Sequence, residues 1–286
     1  MECRECGGPA VFDSPALCEE HFLSYVVDTV KATIVERGLI RPGERVCVAA
    51  SGGKDSVALL DVLSRLGYEV EALAVDEGIE GYRDASLDGL RSFCGSRGIP
   101  LRVVSFAEEV GKPLDSMVGG RHPCSVCGVF RRYLLNRYAR GYDVLATGHN
   151  LDDEAQAVLM NLLKGNAGLL DRTSLRSPPA EGFVPRVKPL AFLPERALRA
   201  YTLLRGVDVV YDECPYAPQS LRVGVRDVLN RHESENPGMK RSLVEAGLRG
   251  ASHTNGDYIS CPRCGEPSSG GVCRACALRE SIVGGS

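Results

Sequence analysis

The sequence predicts an α/β protein built on a doubly wound parallel sheet, with small metal-binding knuckles at both termini. Strand-like apolar runs alternate with helix-like segments through the middle of the 286-residue chain. A glycine-rich turn follows the first of these runs, and paired cysteines stand near both ends. The alternation is typical of βαβ units, which right-handed crossovers join into one parallel sheet.

The central region contains four predicted strands and the helices between them. A helix over residues 23–37 follows a cysteine-rich segment at residues 1–24. Strands are predicted from their apolar runs at 45–50, 69–75, 101–105 and 143–147. Helices are predicted at 57–66, 85–98, 129–140 and 152–164. Because ligands of such sheets bind at the carboxyl ends of the strands, the loops after the strands are the first candidates for a functional site.

The remaining chain has weaker patterns. Residues 165–194 are rich in Gly, Pro and Ser and are predicted as a loop region. Three further helices are predicted at 195–205, 221–232 and 238–248. A polar linker at 249–260 leads to a second cysteine-rich module at 261–276, and we expect the tail at 281–286 to fray. The predicted division is a finger at 1–24, a central domain at 25–250 and a ribbon at 251–286.

Composition and charge indicate a soluble protein without a membrane span. Hydrophobic residues make up 44% and charged residues 25% of the chain, and no run approaches the ~20 apolar residues of a membrane helix. The first residues lack the apolar core of a signal peptide, so we expect a cytoplasmic location. Residues 1–120 contain 12 Lys+Arg and 20 Asp+Glu, whereas residues 121–286 contain 22 and 17. A basic half suits a polyanionic partner, although ordinary surface charge also explains it.

The 12 cysteines are more typical of metal ligands than of disulfides in a cytosolic α/β protein. Both ends have two pairs of ligands, each pair separated by two residues, which is the spacing of a closed zinc site. The ligands would be Cys3, Cys6, Cys18 and His21 at one end, and Cys261, Cys264, Cys273 and Cys276 at the other. Metal binding would supply most of the folding energy of modules this small. An iron–sulfur cluster is the alternative, but the histidine favours zinc.

A third pair, Cys124 and Cys127, opens a basic helix-like stretch. It could form a redox dithiol, a zinc site completed by His122 or His149, or a buried inert pair. With a further cysteine it could instead hold a [4Fe–4S] cluster, and three thiolates would leave one iron open to another ligand. The two isolated cysteines, Cys47 and Cys94, are predicted to be buried apolar residues.

The glycine-rich turn reads Ser-Gly-Gly-Lys-Asp-Ser at residues 51–56 and lies between a predicted strand and a predicted helix. This arrangement directs backbone N–H groups, the Lys54 ammonium and a helix N-terminus at one anionic group. It is not a Walker A loop, which requires Gly, four residues and then Gly-Lys-Ser/Thr. The turn therefore indicates a phosphate site of another kind.

Together, four stretches resemble the tRNA 2-thiouridine synthetases of the TtcA/TtuA group, including their archaeal and eukaryotic cytoplasmic wobble-thiolation relatives. They are SGGKDS at 51–56, HPCSVCGVFRR at 122–132, ATGHNLDDEAQ at 146–156 and DECPYAPQSLRVGVRDVLN at 212–230. SGGKDS is similar to the PP-loop of ATP pyrophosphatases, which convert ATP to AMP and pyrophosphate. The terminal knuckles match the TtuA-like branch. The resemblance implies that residues 25–250 form a PP-loop catalytic domain of the adenine nucleotide alpha-hydrolase-like fold.

The resemblance also implies a reaction and its cofactors. ATP with Mg²⁺ would adenylate the C2 oxygen of a tRNA uridine. Sulfur on the open iron of a [4Fe–4S] cluster, held by Cys124, Cys127 and Cys214, would then displace AMP. The implied catalytic residues are Lys54, Arg131 and Asp153. The implied nucleotide-binding residues are Ala49, Ser51, Gly52, Gly53, Lys54, Asp55, Ser56, Arg131, Gly148 and Asp153. The implied partners are tRNA, a sulfur donor (free sulfide or a ubiquitin-like thiocarboxylate carrier) and a second copy in a homodimer.

Simpler roles stay open for several of these residues. Arg131 could lie on a solvated basic helix face, and Asp153 could only offset a helix dipole, with Asp152 as the expected helix cap. His149 could be a packing residue, and the segment 76–78 could be only a turn. The candidate tRNA contacts are Arg131, Arg132, Arg137, Arg140, Arg222, Arg226 and Arg231. The alternative functions are an amide-forming PP-loop ligase with zinc-only cysteines and a non-catalytic RNA-binding module.

Overall fold

The structure, a computed structural model, describes residues 1–165, 173–219, 222–250 and 258–283. Its centre is a five-stranded, wholly parallel sheet with the strand order β5-β4-β3-β6-β7. The strands are β3 (Val46–Ala49), β4 (Val70–Asp76), β5 (Leu101–Ser105), β6 (Val144–Thr147) and β7 (Arg186–Val187). The chain moves outward from β3 to β5 and then returns to the other side of β3. The loops after β3 and β6 therefore flank the crevice where such sheets bind ligands.

Helices cover both faces of this sheet. In chain order they are α1 (Glu19–Glu36), α2 (Lys54–Arg65), α3 (Arg83–Arg97), α4 (Phe106–Glu109), α5 (Pro123–Tyr138), α6 (Leu151–Leu163), α7 (Glu195–Leu204), α8 (Arg222–Glu235) and α9 (Met239–Gly250). The N-terminal finger contains the hairpin β1 (Phe12–Asp13) and β2 (Ala16–Leu17). The C-terminal ribbon contains β8 (Ile259–Ser260), β9 (Pro267–Ser268) and α10 (Arg274–Val283).

The alternation of side chains along each strand divides the interior into two apolar cores. Val46 and Val48 face the core that contains α1, α2, α3, α6 and α7, whereas Cys47 between them faces the opposite core. That second core contains α5 and the buried residues Cys261, Cys273 and Ala275 of the C-terminal ribbon. The ribbon is therefore packed beneath α5 as part of the interior.

Most predicted elements are present, with shifted ends. Helix α5 begins at Pro123 rather than residue 129, because Pro at the first helical position needs no N–H partner. Helix α2 begins at Lys54 rather than 57, and α1 at Glu19 rather than 23. These earlier starts place Cys124 and Lys54 in first helical turns. The division at residues 24 and 250 stays a prediction.

Three predictions about the irregular regions need correction. The loop region 165–194 contains strand β7, which completes the sheet; its residues 166–172 lie outside the described residues. The linker predicted at 249–260 begins later, because α9 continues to Gly250, and residues 251–257 are likewise outside the description. Helix α10 extends to Val283, so residues 281–283 of the expected frayed tail are helical. Within the described ranges, no helix is long and apolar enough to cross a membrane.

Candidate functional site

The loop after β3 is a tight turn that is held by hydrogen bonds of its two serines, Ser51 and Ser56. The Ser51 N–H donates to Ser56 Oγ at 3.1 Å, and Ser56 Oγ donates to the Gly53 carbonyl at 3.0 Å. Gly53 is the extended residue that immediately precedes α2, and half-buried Ala49 ends the strand. The predicted residues 51–56 are thus brought together at the start of α2, where backbone N–H groups and the helix dipole favour an anion.

Gly52 is required by the close approach of α3. Its φ is +82°, and a Cβ there would lie 2.1 Å from the carbonyl oxygen of Ser86. The buried Arg83 guanidinium fixes the same loop, because it donates to the Ser51 carbonyl, to Ser86 Oγ at 3.0 Å and to the Val75 carbonyl at 2.6 Å. Arg83 lies in none of the four motif stretches, and only its place after a predicted nucleotide-side strand could have indicated it.

The Lys54 ammonium is held between two carboxylates. Its Nζ donates to Glu195 Oε1 at 2.7 Å and to Asp55 Oδ2 at 3.1 Å. Burial alone would lower the pKa of Lys54, but these two carboxylates raise it, so the side chain is a cation. Burial, with the nearby charges of Asp153 and Glu195, raises the pKa of Asp55 to about 6 despite the attraction of Lys54. Asp55 Oδ1 is buried without a hydrogen-bond partner, which fits a carboxylate awaiting a cation.

The other wall of the crevice is the loop after β6. Gly148 permits close packing, because a Cβ there would lie 3.0 Å from the Ser56 nitrogen. His149 is exposed in the crevice and its Nδ1 lies 2.8 Å from Thr147 Oγ1, so it is not a packing residue. Desolvation and the cations Lys188, Arg222, Arg131 and Arg186 lower the pKa of His149, which keeps the imidazole neutral.

The cap of α6 differs from the prediction. Asn150 rather than Asp152 is the N-cap: its side chain accepts the Asp153 N–H at 3.0 Å, and Asp153 accepts the Asn150 N–H at 3.3 Å. The other Asp153 oxygen accepts from Arg222 Nη1 at 2.8 Å. Asp152 is turned inward, where it contacts the Lys240 ammonium. Asp153 therefore has one oxygen in the helix cap and the other in an ion pair, and its charge lies close enough to contribute to the raised pKa of Asp55.

Cys124 and Cys127, at the start of α5, lie near Cys214, the third predicted cluster ligand. Cys124 is exposed, Cys127 lies one turn further along, and Cys124 Sγ lies 3.9 Å from the carbonyl of Tyr216, two residues past Cys214. Burial, with Glu77 and the other two sulfurs, raises the pKa of Cys127 to about 11, although the Arg131 cation opposes this. The three cysteines and Arg131 are therefore neighbours.

The three sulfurs do not converge on one ion. In the part of the chain that the structure describes, two groups of potential metal ligands have all their ligand atoms within 4.8 Å of one another. One group lies at each terminus. Cys124, Cys127 and Cys214 are more widely spread, so His122 and His149 do not complete a zinc site with them. Cys47 and Cys94 are buried as predicted, and burial raises their pKa to about 12 and 11.

A buried acid, Glu77, connects the two halves of the site. Its Oε2 lies 2.9 Å from Arg83 Nε, and its Oε1 lies 3.8 Å from Arg131 Nη1. Because Arg83 also supports the Ser51 carbonyl, two ion pairs join the phosphate loop to the cysteine helix. The segment 76–78 forms a turn at the end of β4, in which Asp76 Oδ1 accepts the Gly78 N–H at 2.9 Å.

Both terminal knuckles have the geometry of metal sites. Cys6 and Cys18 sulfurs are 3.8 Å apart, as expected for bonds of about 2.3 Å to a tetrahedral zinc. His21 Nδ1 lies 3.2 Å from Cys18 Sγ, and at the other end Cys264 and Cys273 sulfurs are 3.6 Å apart. Each of the eight predicted ligands belongs to one of the two groups. These residues can therefore hold one metal ion at each end.

Most of the predicted basic tRNA contacts are paired with acids in the same chain. The pairs are Arg131–Glu77 at 3.8 Å, Arg137–Glu109 at 3.8 Å, Arg140–Glu266 at 2.8 Å, Arg222–Asp153 at 2.8 Å and Arg226–Glu213 at 2.6 Å. Arg132 and Arg231 are exposed. Several of these arginines thus have structural partners that a polyanion would have to displace.

Known proteins match this chain along almost its whole length. A family model described as a PP-loop domain matches residues 24–233. The tRNA-5-methyluridine(54) 2-sulfurtransferase of Thermus thermophilus is 38% identical over 295 residues, covering 99% of this chain and 92% of the relative. The cytoplasmic tRNA 2-thiolation protein 1 of Drosophila yakuba is 38% identical, covering 99% and 88%.

A solved structure has the same fold. The U34-tRNA thiolase NcsA from Methanococcus maripaludis, solved with its [4Fe–4S] cluster, superposes with a TM-score of 0.87 at 34% identity, covering 99% of this chain and 96% of that one. Fold and sequence thus confirm the expected resemblance. The chain belongs to the PP-loop family of tRNA 2-thiolation enzymes.

Proposed function

We propose that this protein is a cytoplasmic, ATP-dependent tRNA uridine 2-sulfurtransferase. The observation that carries the proposal is the joined site: Glu77 pairs with Arg83, which supports the phosphate loop, and with Arg131, which lies near Cys127. A ligase with zinc-only cysteines predicts a third compact ligand group, and the described residues contain two, both at the termini. The relatives named above act on tRNA, which supports tRNA as the substrate.

The phosphate loop binds and orients ATP in this proposal. The backbone N–H groups of residues 51–56 and the Lys54 ammonium hold the phosphates, as a helix N-terminus favours. Asp55 and Asp153, which face the crevice beside Lys54, hold Mg²⁺, which supplies positive charge to the phosphates when bound. Burial is the main cause that raises the pKa of Asp55, and repulsion by the Asp153 carboxylate, which a divalent cation would relieve, adds to it. The C2 oxygen of uridine attacks the α-phosphate, and pyrophosphate leaves.

The three cysteines hold a [4Fe–4S] cluster. When bound, such a cluster supplies one iron that is open to a sulfur ligand. Arg131 places a positive charge among the three sulfurs and stabilises the negative charge of the thiolates. Glu77 Oε1 lies 3.8 Å from that guanidinium, so Arg131 has an acidic partner within the protein itself.

Zinc ions in the two knuckles complete the fold. The Cys261 sulfur accepts the Cys273 N–H at 3.3 Å, and this hydrogen bond is the main cause that lowers the pKa of Cys261 to about 6. The thiolate is the form that binds zinc. Because the ribbon packs beneath α5, its zinc also supports the helix that carries Cys124 and Cys127. The proposal also includes a sulfur donor, which is either free sulfide or a ubiquitin-like thiocarboxylate carrier. It further includes the assembly of two copies into a homodimer.

Anaerobic purification followed by metal analysis and a tRNA thiolation assay tests the proposal. We expect about four irons and four sulfides per chain beside two zincs. Cys124→Ala should remove the cluster absorbance and the thiolation while ATP affinity is kept. Ser125→Ala, an exposed neighbour in the same helical turn, is the matched control. Zinc alone after iron–sulfur reconstitution, or wild-type thiolation by Cys124→Ala, would overturn the proposal and favour the ligase.

A further inference from the structure

Glu195 makes the shortest contact to the lysine of the phosphate loop, although no motif contains it. It is the first residue of α7, and its Oε1 accepts the Lys54 Nζ hydrogen bond at 2.7 Å, against 3.1 Å for Asp55. Lys54 is only 17% exposed, so the two carboxylates occupy an ammonium that ATP phosphates also need. A nucleotide must therefore compete with Glu195 for Lys54.

The backbone of Glu195 is fixed by a buried ion pair. Its N–H donates to Asp152 Oδ2 at 2.7 Å, and the other Asp152 oxygen contacts the Lys240 ammonium. Lys240 also donates to Asn230 Oδ1 at 2.6 Å, and Asp152 and Lys240 are both buried. The Glu195 side chain itself is 45% exposed. It is thus anchored at its main chain and free to turn its carboxylate away from Lys54.

The charges around Lys54 oppose a bare polyphosphate. Asp55, Asp153 and Glu195 lie close enough to repel one another: burial is the main cause that raises the pKa of both aspartates, and the Glu195 charge adds to it. A phosphate chain that enters without a cation meets these carboxylates and finds Lys54 already paired. A divalent cation bound to the phosphates reverses the sign of the interaction with the carboxylates.

We infer that Glu195 is a specificity-determining residue that holds Lys54 in the nucleotide-free protein and releases it to metal-bound ATP. The residue thereby selects the metal complex over free ATP. This inference rests on the proposed use of ATP and names a residue that acts in ATP selection. Glu195→Gln keeps the shape of the side chain and removes the charge that competes for Lys54.

The test compares ATP affinity in the full-length wild type and in Glu195→Gln, by calorimetry with EDTA and with Mg²⁺. In EDTA we expect Glu195→Gln to bind ATP about two- to fivefold more tightly, the range of a partly exposed ion pair, whereas with Mg²⁺ we expect the affinities of the two proteins to be equal. The same gain in EDTA and in Mg²⁺ would overturn the selection of metal-bound ATP. Adenosine, which has no phosphate, should bind equally to both. Glu19→Gln is the matched control, because Glu19 is an exposed acid in the first turn of α1 with no ion pair among the described residues.

A second variant keeps the result independent of folding effects. In a Lys54→Met background the Gln substitution should leave ATP affinity unchanged, because the ammonium for which Glu195 competes is gone. Equal or weaker ATP binding by Glu195→Gln in EDTA, with adenosine binding intact, would overturn the inference alone. Wild-type protein that binds no ATP even with Mg²⁺ would overturn the proposed function, and the inference with it.

Discussion

Gly52→Ala is expected to disable the phosphate loop while the rest of the fold survives. Gly52 has a φ of +82°, and an added Cβ would lie 2.1 Å from the Ser86 carbonyl oxygen. Ordinary van der Waals contact begins at 3.4 Å, so the loop or α3 must move by more than 1 Å. Because Arg83 ties the Ser51 carbonyl to β4 and α3, the loop cannot move without losing that support.

The size of the effect follows from the displacement. A non-glycine residue in left-handed backbone costs about 1–2 kcal/mol of unfolding free energy. A misplacement of about 1 Å in a reacting group costs about 100-fold in rate. We therefore expect ATP-dependent pyrophosphate release to fall about 100-fold, with a loss of a few kcal/mol in unfolding free energy.

Gly67→Ala separates these two contributions. Gly67 has the same φ of +82°, follows α2, and has no atom within 4 Å of the added Cβ. It should therefore lose about 1–2 kcal/mol in urea unfolding and keep wild-type pyrophosphate release. Equal turnover by Gly52→Ala and wild type would refute the placement of ATP phosphates on this loop.

Three other predictions concern stability and metal content. Asp61→Asn should lower the unfolding free energy in urea by about 3–5 kcal/mol, because the buried carboxylate accepts from the Tyr201 hydroxyl at 2.6 Å and pairs with three arginines; a loss below about 1 kcal/mol would contradict this. The pKa of Asp55 is raised from 3.8 to about 6 in the folded protein. Between these two pH values the folded protein holds a proton on Asp55 that the unfolded chain has already released. Unfolding free energy should therefore fall as pH rises from about 4 to 6, and Asp55→Asn should flatten a denaturation series there. Cys264→Ser should remove one zinc per chain by elemental analysis and lower the melting temperature; unchanged zinc would refute the ribbon site.

Four of the five strands of the sheet were predictable because each is a short apolar run, as two covered faces require, whereas the two-residue strand β7 has no such run. Leu101–Ser105 is observed with its predicted bounds, and β3, β4 and β6 differ by one or two residues. The starts of helices were less predictable. Apolar periodicity indicates where a helix packs, but α5 begins at Pro123, whose missing N–H suits the first helical position.

The sequence by itself determined the local chemistry of this protein: the glycine-rich loop, the metal-ligand spacings and the order of strands and helices. These features depend on residues within a few positions of one another. Only the tertiary structure decided that Glu77 joins two arginines, that Glu195 holds Lys54 across 141 positions, and that Asp152 pairs with Lys240. The reason is physical: a buried charge needs a partner, and the chain can supply that partner from any element that packs against it.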